Sequence, residues 1–140
     1  MNKSTTSTST SNQHSQKLGD NSVVIYCDGA GSRPDGKGSG FSWIQPLTGE
    51  RHVEQMDGLT NNQAEYLALI SALTFLPDGS AAQVFTDSQL MWAQMVGHYK
   101  VHDTELAQLL LQVRDLIKKK KMMIDVQWLP RQRNLAGKLL

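Results

Sequence analysis

The sequence predicts an α/β domain in which a five-stranded mixed sheet is flanked by helices on both faces. Three strand-like segments precede the first helical pattern, and a Thr48-Gly49 turn signal joins two of them as a hairpin. The predicted order of elements, βββαβααβ followed by a last helix, implies an antiparallel hairpin unit that is extended by a parallel strand. A chain of 140 residues with 39% hydrophobic residues can bury the core of one such domain.

The first half of the chain supplies three strands and one helix. Ser22–Asp28 is apolar and β-branched, so it predicts a buried strand, and the glycine-rich stretch 29–40 predicts a loop. Residues 40–47 and 50–58 form the two arms of the hairpin. Asn61–Leu76 carries apolar residues at helical spacing and is stopped by Pro-Asp-Gly.

The second half continues with a strand, two helices, a strand and a loop. Ser88 and Asp103 are residues of the type that caps helix N-termini, and Gly97 is typical of a helix end. The predicted segments are Ala81–Asp87, 88–96, 103–119, 122–130 and the loop Pro130–Asn134, after which residues 135–140 are expected to begin a last helix.

The first 20 residues are rich in Ser, Thr, Asn and Gln and have almost nothing to bury. We therefore expect a disordered tail over 1–20 and an ordered domain over 21–140. Residues 1–20 lack the apolar centre of a signal peptide. No run of apolar residues in the sequence approaches the length of a membrane span, which is about 18 residues. We predict a cytoplasmic protein, in which the single Cys27 excludes an internal disulfide.

Charge is unevenly distributed along the chain, although the formal net charge is only +1. Residues 21–97 hold 3 Lys/Arg against 8 Asp/Glu, whereas residues 98–140 hold 9 against 4. An acidic front and a basic back suit a metal site beside a phosphate-binding surface. The lysine run Lys118–Lys121 admits two interpretations: contact with nucleic-acid phosphates, or favourable charge at a helix C-terminus.

Three carboxylates occupy settings that direct them toward one site. Asp28 and Asp87 end predicted strands, and Glu65 lies on the apolar helix. Buried carboxylates without a counter-charge are costly. A hard divalent cation such as Mg²⁺ or Mn²⁺ is the counter-charge that three converging carboxylates favour.

Four motifs carry a family resemblance. They are CDGAG at 27–31, TNNQAEY at 60–66, TDSQL at 86–90 and WLPRQRN at 128–134. In this order and spacing, the chain from Val23 onward resembles type 1 ribonuclease H. The short connection 97–104 leaves no room for an extra basic helix, so the chain is more similar to the short, archaeal-like branch of that family.

The resemblance implies the ribonuclease H-like fold and an endonuclease that hydrolyses the RNA strand of RNA/DNA hybrids. It implies a two-metal mechanism, with two Mg²⁺ or Mn²⁺ ions per site. Asp28 would bridge both metals, and Glu65 and Asp87 would complete much of the ligand set. The expected partner is the hybrid, with no membrane partner, and we expect a monomer.

Further residues matched to the family would contact substrate. Asn61, Asn62 and Gln89 carry amides that can read 2′-hydroxyls and base edges in a minor groove, although capping of helices would also explain residues of this kind. Gly29 and Gly31 would let the nucleic-acid backbone come close.

Arg131 lies where archaeal-like members carry an arginine. It would act in catalysis, by moving a metal-bound phosphate or helping to expel product, or would serve as a plain phosphate clamp. Of the three tryptophans, Trp92 is the one we reserve for substrate contact.

The C-terminal segment departs from the family pattern, which places a fourth acid shortly after the late asparagine. Here that position falls on Gly137 or Lys138, depending on the register. Either three carboxylates and water suffice, or Asn134 or the terminal carboxylate of Leu140 supplies a metal ligand. The alternative function is a weakly active or inactive hybrid-binding protein of the same fold.

Overall fold

The computed structural model describes residues 22–140, so the predicted tail 1–20 lies outside the described residues. Within this described part, no helix is both long and apolar enough to cross a membrane.

The sheet has the five strands and the mixed pairing that the sequence predicts. Its order is β3-β2-β1-β4-β5, with β1 at the centre. β1 pairs antiparallel with β2, and β2 with β3, while β1–β4 and β4–β5 are parallel. The strands are β1 (Val23–Ala30), β2 (Gly40–Ile44), β3 (Arg51–Gln55), β4 (Ala81–Thr86) and β5 (Met123–Trp128).

Three α-helices and two 3₁₀ helices complete the described chain. They are α1 (Asn61–Phe75), α2 (Gln89–Met95), α3 (Thr104–Lys119) and the 3₁₀ helices Arg131–Arg133 and Leu135–Leu139. The N-cap side chains are those expected: Thr60 forms a capping box with Gln63, and Ser88 and Asp103 each accept a backbone N–H of their helix.

Helices lie on both faces of the sheet, and β1 shows how. Successive side chains of a strand point to opposite faces. The Cys27 thiol lies 3.8 Å from the Ala68 carbonyl of α1. The next side chain, Asp28, lies on the side of the second 3₁₀ helix, where Gly137 is its neighbour. The α-helical side holds the larger core, in which Ile25 and Val84 of the sheet are fully buried with Leu69 and Leu73 of α1.

Two predicted boundaries move for identifiable reasons. β1 continues beyond Asp28 to Ala30, because Gly29 and Ala30 pair with Phe41 and Gly40 of β2. Asp28 therefore lies inside a strand and not at its end. Within the final segment, residues 135–140, the predicted helix is a single 3₁₀ helix.

Lys120 has a structural task. Its Nζ atom donates to the carbonyl oxygens of Leu73, Thr74 and Leu76 at 2.7, 3.0 and 2.5 Å. These carbonyls belong to the C-terminal end of α1, where helix carbonyls lack intrahelical partners and the dipole favours a cation. Within the lysine run, this side chain thus binds a helix C-terminus, but the helix is α1 and not α3, at whose end the run lies in the chain.

Candidate metal centre

Three carboxylates from three elements meet at one point. Asp28 comes from the C-terminal half of β1, Glu65 from the second turn of α1, and Asp87 from the residue after β4. Each offers a carboxylate oxygen, and these oxygens all lie within 4.8 Å of one another. Parallel pairing of β1 with β4 brings Asp28 and Asp87 to the same end of the sheet, and α1 crosses β1 closely enough to add Glu65.

The electrostatics of this cluster are unfavourable without a cation. Burial and then the neighbouring Asp87 raise the pKa of Asp28 to about 6, against the lowering effects of Arg131 and the Gly29 backbone N–H. Burial, followed by Asp28 and Asp87, raises the pKa of Glu65 to about 9. Both shifts have the sign expected for buried like charges.

Two oxygens of the cluster also lack hydrogen bonds. Asp28 Oδ1 and Glu65 Oε1 are buried and have no partner among residues 22–140. Buried polar atoms without partners are rare in native proteins. An all-carboxylate oxygen set with unpartnered buried atoms fits a hard divalent cation, so the residues present suit Mg²⁺ or Mn²⁺.

Asn134 enters the cluster as a hydrogen-bond donor. Its Nδ2 donates to the Cys27 carbonyl at 2.8 Å and to Asp87 Oδ2 at 3.0 Å, while its Oδ1 accepts the Ala136 N–H. The opposite amide orientation would set its oxygen against two acceptors. The side-chain oxygen predicted as a metal ligand is thus engaged in capping the second 3₁₀ helix, and the amide nitrogen faces the site.

Gly29 and Gly31 are required by packing. A Cβ on Gly29 would lie 2.3 Å from the Ala64 carbonyl carbon, and one on Gly31 would lie 2.5 Å from the Asn61 nitrogen. The first turn of α1 therefore fills the space that the sequence interpretation left for a nucleic-acid backbone. This corrects the reason for these glycines: they let a helix approach a strand, which in turn places Glu65 beside Asp28.

The structure distinguishes Gly137 from Lys138 as the position that corresponds to the family's fourth acid. A Cβ on Gly137 would lie 3.3 Å from Asp28 Oδ2, whereas Lys138 is exposed. Gly137 thus occupies the place from which a fourth acid would reach the cluster. Ser42 holds the segment there, because its Oγ donates to the Ala136 carbonyl at 2.8 Å in the buried interior.

The predicted substrate residues differ in how far the fold already uses their side chains in hydrogen bonds. Asn61 Oδ1 accepts the Gly31 N–H at 2.6 Å, so this amide is partly committed to the fold. Asn62 is half-buried and Gln89 exposed, and neither side chain has a hydrogen-bond partner among residues 22–140. Arg131 is exposed on the first 3₁₀ helix, yet its charge lowers the pKa of Asp28 and Glu65, which places it beside the cluster.

One contact of the site was missed from the sequence. Trp128 Nε1 donates to the backbone carbonyl of Asp87 at 3.2 Å, which links the end of β5 to the third carboxylate. The only available signal was that Trp128 opens the last of the four motifs. Contacts between segments 41 residues apart depend on the parallel pairing of β4 with β5.

Fold and site define an α/β domain whose central strand carries one member of a three-carboxylate centre suited to divalent metal. The family model described as RNase H matches residues 20–134, and this chain belongs to the RNase H family. The resemblance inferred from the four motifs is confirmed. The family is dependent on divalent metal ions.

Similar proteins come from bacteria and archaea. The bifunctional protein Rv2228c of Mycobacterium tuberculosis is 36% identical over 119 residues, which cover 80% of this chain and 32% of that protein. This chain thus spans about a third of the length of that curated relative. The structure of RNase H1 from the archaeon Halobacterium salinarum is 30% identical, with a TM-score of 0.70 over 84% of this chain and 92% of that one. LC11-RNase H1 in complex with RNA/DNA hybrid is 27% identical, with a TM-score of 0.71 over the same shares.

Proposed function

We propose that this chain is a metal-dependent endoribonuclease that hydrolyses the RNA strand of RNA/DNA hybrids. The observation that carries the proposal is the three-carboxylate cluster with its two unpartnered buried oxygens, set in an RNase H domain. The hybrid bound to the similar LC11-RNase H1 supports the choice of substrate.

Asp28, Glu65 and Asp87 would hold the metal. When bound, a pair of Mg²⁺ or Mn²⁺ ions supplies activation of a water and stabilisation of the leaving 3′-oxygen. The protein contributes rigid placement, because Asp28 sits in the central strand and Glu65 on a helix packed directly against Gly29.

The neighbouring polar residues take distinct roles in this proposal. Asn134 orients Asp87 by donating to one carboxylate oxygen, which leaves the other for metal. Asn62 and Gln89 read the minor groove with amides that the fold does not use, and Asn61 retains its Nδ2 for the same purpose. Arg131 contacts a substrate phosphate beside the cluster.

A second candidate function rests on Gly137. Because no fourth acid faces Asp28 among residues 22–140, a hybrid-binding protein with weak or no cleavage is the alternative. The cytoplasmic location and the monomeric state stay predictions from the sequence.

The decisive experiment is cleavage and binding of a labelled RNA/DNA hybrid with Mg²⁺, Mn²⁺ or EDTA. We expect metal-dependent cleavage that Asp28→Asn removes while binding survives, because the substitution removes charge from the metal site and repulsion from phosphate. Asp78→Asn, an exposed acid beyond the C-terminal end of α1, is the matched control and should cleave normally. If the chain binds the hybrid but cleaves it with neither Mg²⁺ nor Mn²⁺, the hybrid-binding alternative is established. Near-normal turnover of Asp28→Asn would refute the assigned site.

A further inference from the structure

An open cavity of about 310 Å³ lies beside the candidate metal centre and is not used in the mechanism above. It is formed by α2, the turn after α2 and the end of β5. Its walls are three aromatic rings, two side-chain amides and one small residue: Trp92, Tyr99, Trp128, Gln89, Gln127 and Ala93. The volume is at the lower end of the range for small-ligand sites, about 300–1,000 Å³.

The cavity is attached to the metal centre at two points. Trp128 donates its indole N–H to the Asp87 carbonyl, and this contact fixes the ring although 40% of the residue is exposed. Gln89, the predicted groove reader, also lines the cavity. A ligand in the cavity would therefore contact two neighbours of Asp87: Trp128, which is hydrogen-bonded to its carbonyl, and Gln89, two positions later in the chain.

Tyr99 is presented to the cavity by a defined turn. Gly97 has a φ of +85° and follows the end of α2. The Gly97 N–H donates to the Gln94 carbonyl and the His98 N–H to the Ala93 carbonyl, which is the Schellman pattern. This turn holds Tyr99 with 59% of its surface exposed, close to the edge where Trp92 meets His98 in a T-shaped contact.

The chemistry of the walls selects a neutral, flat ligand. None of the six lining residues carries a formal charge, so the cavity lacks the Lys or Arg that would bind a phosphate. Aromatic rings stack on nucleobases, and amides pair with the polar edges of bases. The Gln127 Nε2 donates to Asp125 at 2.7 Å, which leaves the Gln127 oxygen as an acceptor with no partner in the described chain.

We propose that this cavity binds an unpaired nucleobase from a strand that continues beyond the hybrid duplex. A paired base within a duplex has its faces covered by neighbours and its edge occupied, so it cannot enter between aromatic walls. An unpaired base at a junction or overhang has both its faces and its polar edge available for contact. The inference rests on the proposed function, and it adds a preference for hybrids whose ends or flanks are single-stranded.

The test compares three hybrids of the same duplex sequence: one blunt, one with a short unpaired overhang, and one whose overhang is abasic. RNA and DNA overhangs are tested separately, which identifies the strand that supplies the base. The abasic overhang has the same phosphates, so it removes the base and keeps the charge. Binding is measured in the full chain with Asp28→Asn, in which cleavage is expected to be absent.

We expect the overhang with bases to bind roughly 5- to 160-fold more tightly than the abasic one, which is the gain from one stacked base. Tyr99→Ala should bring this ratio toward 1, Tyr99→Phe should retain it, and Leu47→Ala, a fully exposed residue on a distant turn, is the control that should also retain it. The cavity proposal alone is overturned if the Asp28→Asn chain binds the two overhangs equally. It is also overturned if a folded variant with Tyr99→Ala added keeps the full preference for the overhang with bases. Failure to bind any hybrid overturns the proposed function, and the cavity proposal falls with it.

Discussion

Replacing Glu65 with Gln should stabilise the metal-free protein at alkaline pH. The folded-state pKa of Glu65 is about 9 against an ordinary 4.5, with burial as the largest cause and Asp28 the next. Between these values the folded state holds a proton that the unfolded state has released. The free energy of unfolding therefore falls as pH rises through this window, and it is level on either side. Gln resembles the protonated Glu side chain but does not titrate, so the substitution removes the pH dependence that Glu65 gives to the free energy of unfolding.

The size of the effect follows from the same two values. Each tenfold change in a protonation equilibrium corresponds to about 1.4 kcal/mol. Relaxation of the cluster around the ionised group recovers part of the free energy that the difference between the two pKa values represents. We therefore expect the variant to gain on the order of 3 kcal/mol at about pH 8. For a domain of this length that corresponds to a rise in Tm of roughly 10 °C.

Thermal unfolding in EDTA at several pH values between about 4 and 9 measures this difference. The Tm gap between Glu65→Gln and the parent should be near zero at the acidic end and widen as pH rises. Excess Mg²⁺ should reverse the order, because the parent gains ligand-binding stability that the variant has lost. Glu50→Gln, at the exposed β2–β3 turn, is the matched control and should track the parent. A variant no more stable than the parent in EDTA at about pH 8 would refute the assigned charge repulsion.

Three further perturbations test the site and the fold. Asn62→Ala should weaken hybrid binding by on the order of 1 kcal/mol, seen as a raised KM, and an unchanged KM would return this amide to a structural role. Gly137→Asp should lower the Mg²⁺ concentration that gives half-maximal cleavage, because its new carboxylate would face Asp28. Lys138→Asp, at an exposed position, should not lower it. Equal effects of the two substitutions would contradict the assignment of Gly137 to the position of the fourth acid. Lys120→Met should lower the unfolding free energy by about 1–3 kcal/mol through loss of three carbonyl contacts, whereas Lys119→Met should change it little; similar losses in denaturant titrations of both would remove the capping role.

The sequence was sufficient for the order of elements and for the three carboxylates. Local patterns carry this information: β-branched runs, helical spacing and N-cap residues such as Thr60 each specify structure within a few residues. The convergence of Asp28, Glu65 and Asp87 was predictable because each sits in a motif whose order along the chain is itself informative.

What the sequence could not give depends on contacts between distant segments. Gly29 and Gly31 look like loop residues, yet Gly29 pairs with β2 and both pack against the start of α1. The orientation of the Asn134 amide follows from which acceptors surround it, and the choice between Gly137 and Lys138 follows from the path of a 3₁₀ helix. None of these is encoded in a local pattern.

The hydrogen bonds of Asn134 have a consequence for synthesis of the protein. This residue joins the Cys27 carbonyl, 107 positions earlier in the chain, to the Asp87 carboxylate. A ribosome releases β1, α1 and β4 well before it releases residue 134, so the nascent chain displays the three acids before Asp87 has its orienting partner. Closure of such distant contacts is slow relative to local structure, and it comes late in the order of emergence. The hydrogen bonds around Asp87 are therefore completed only after residue 134 has been released.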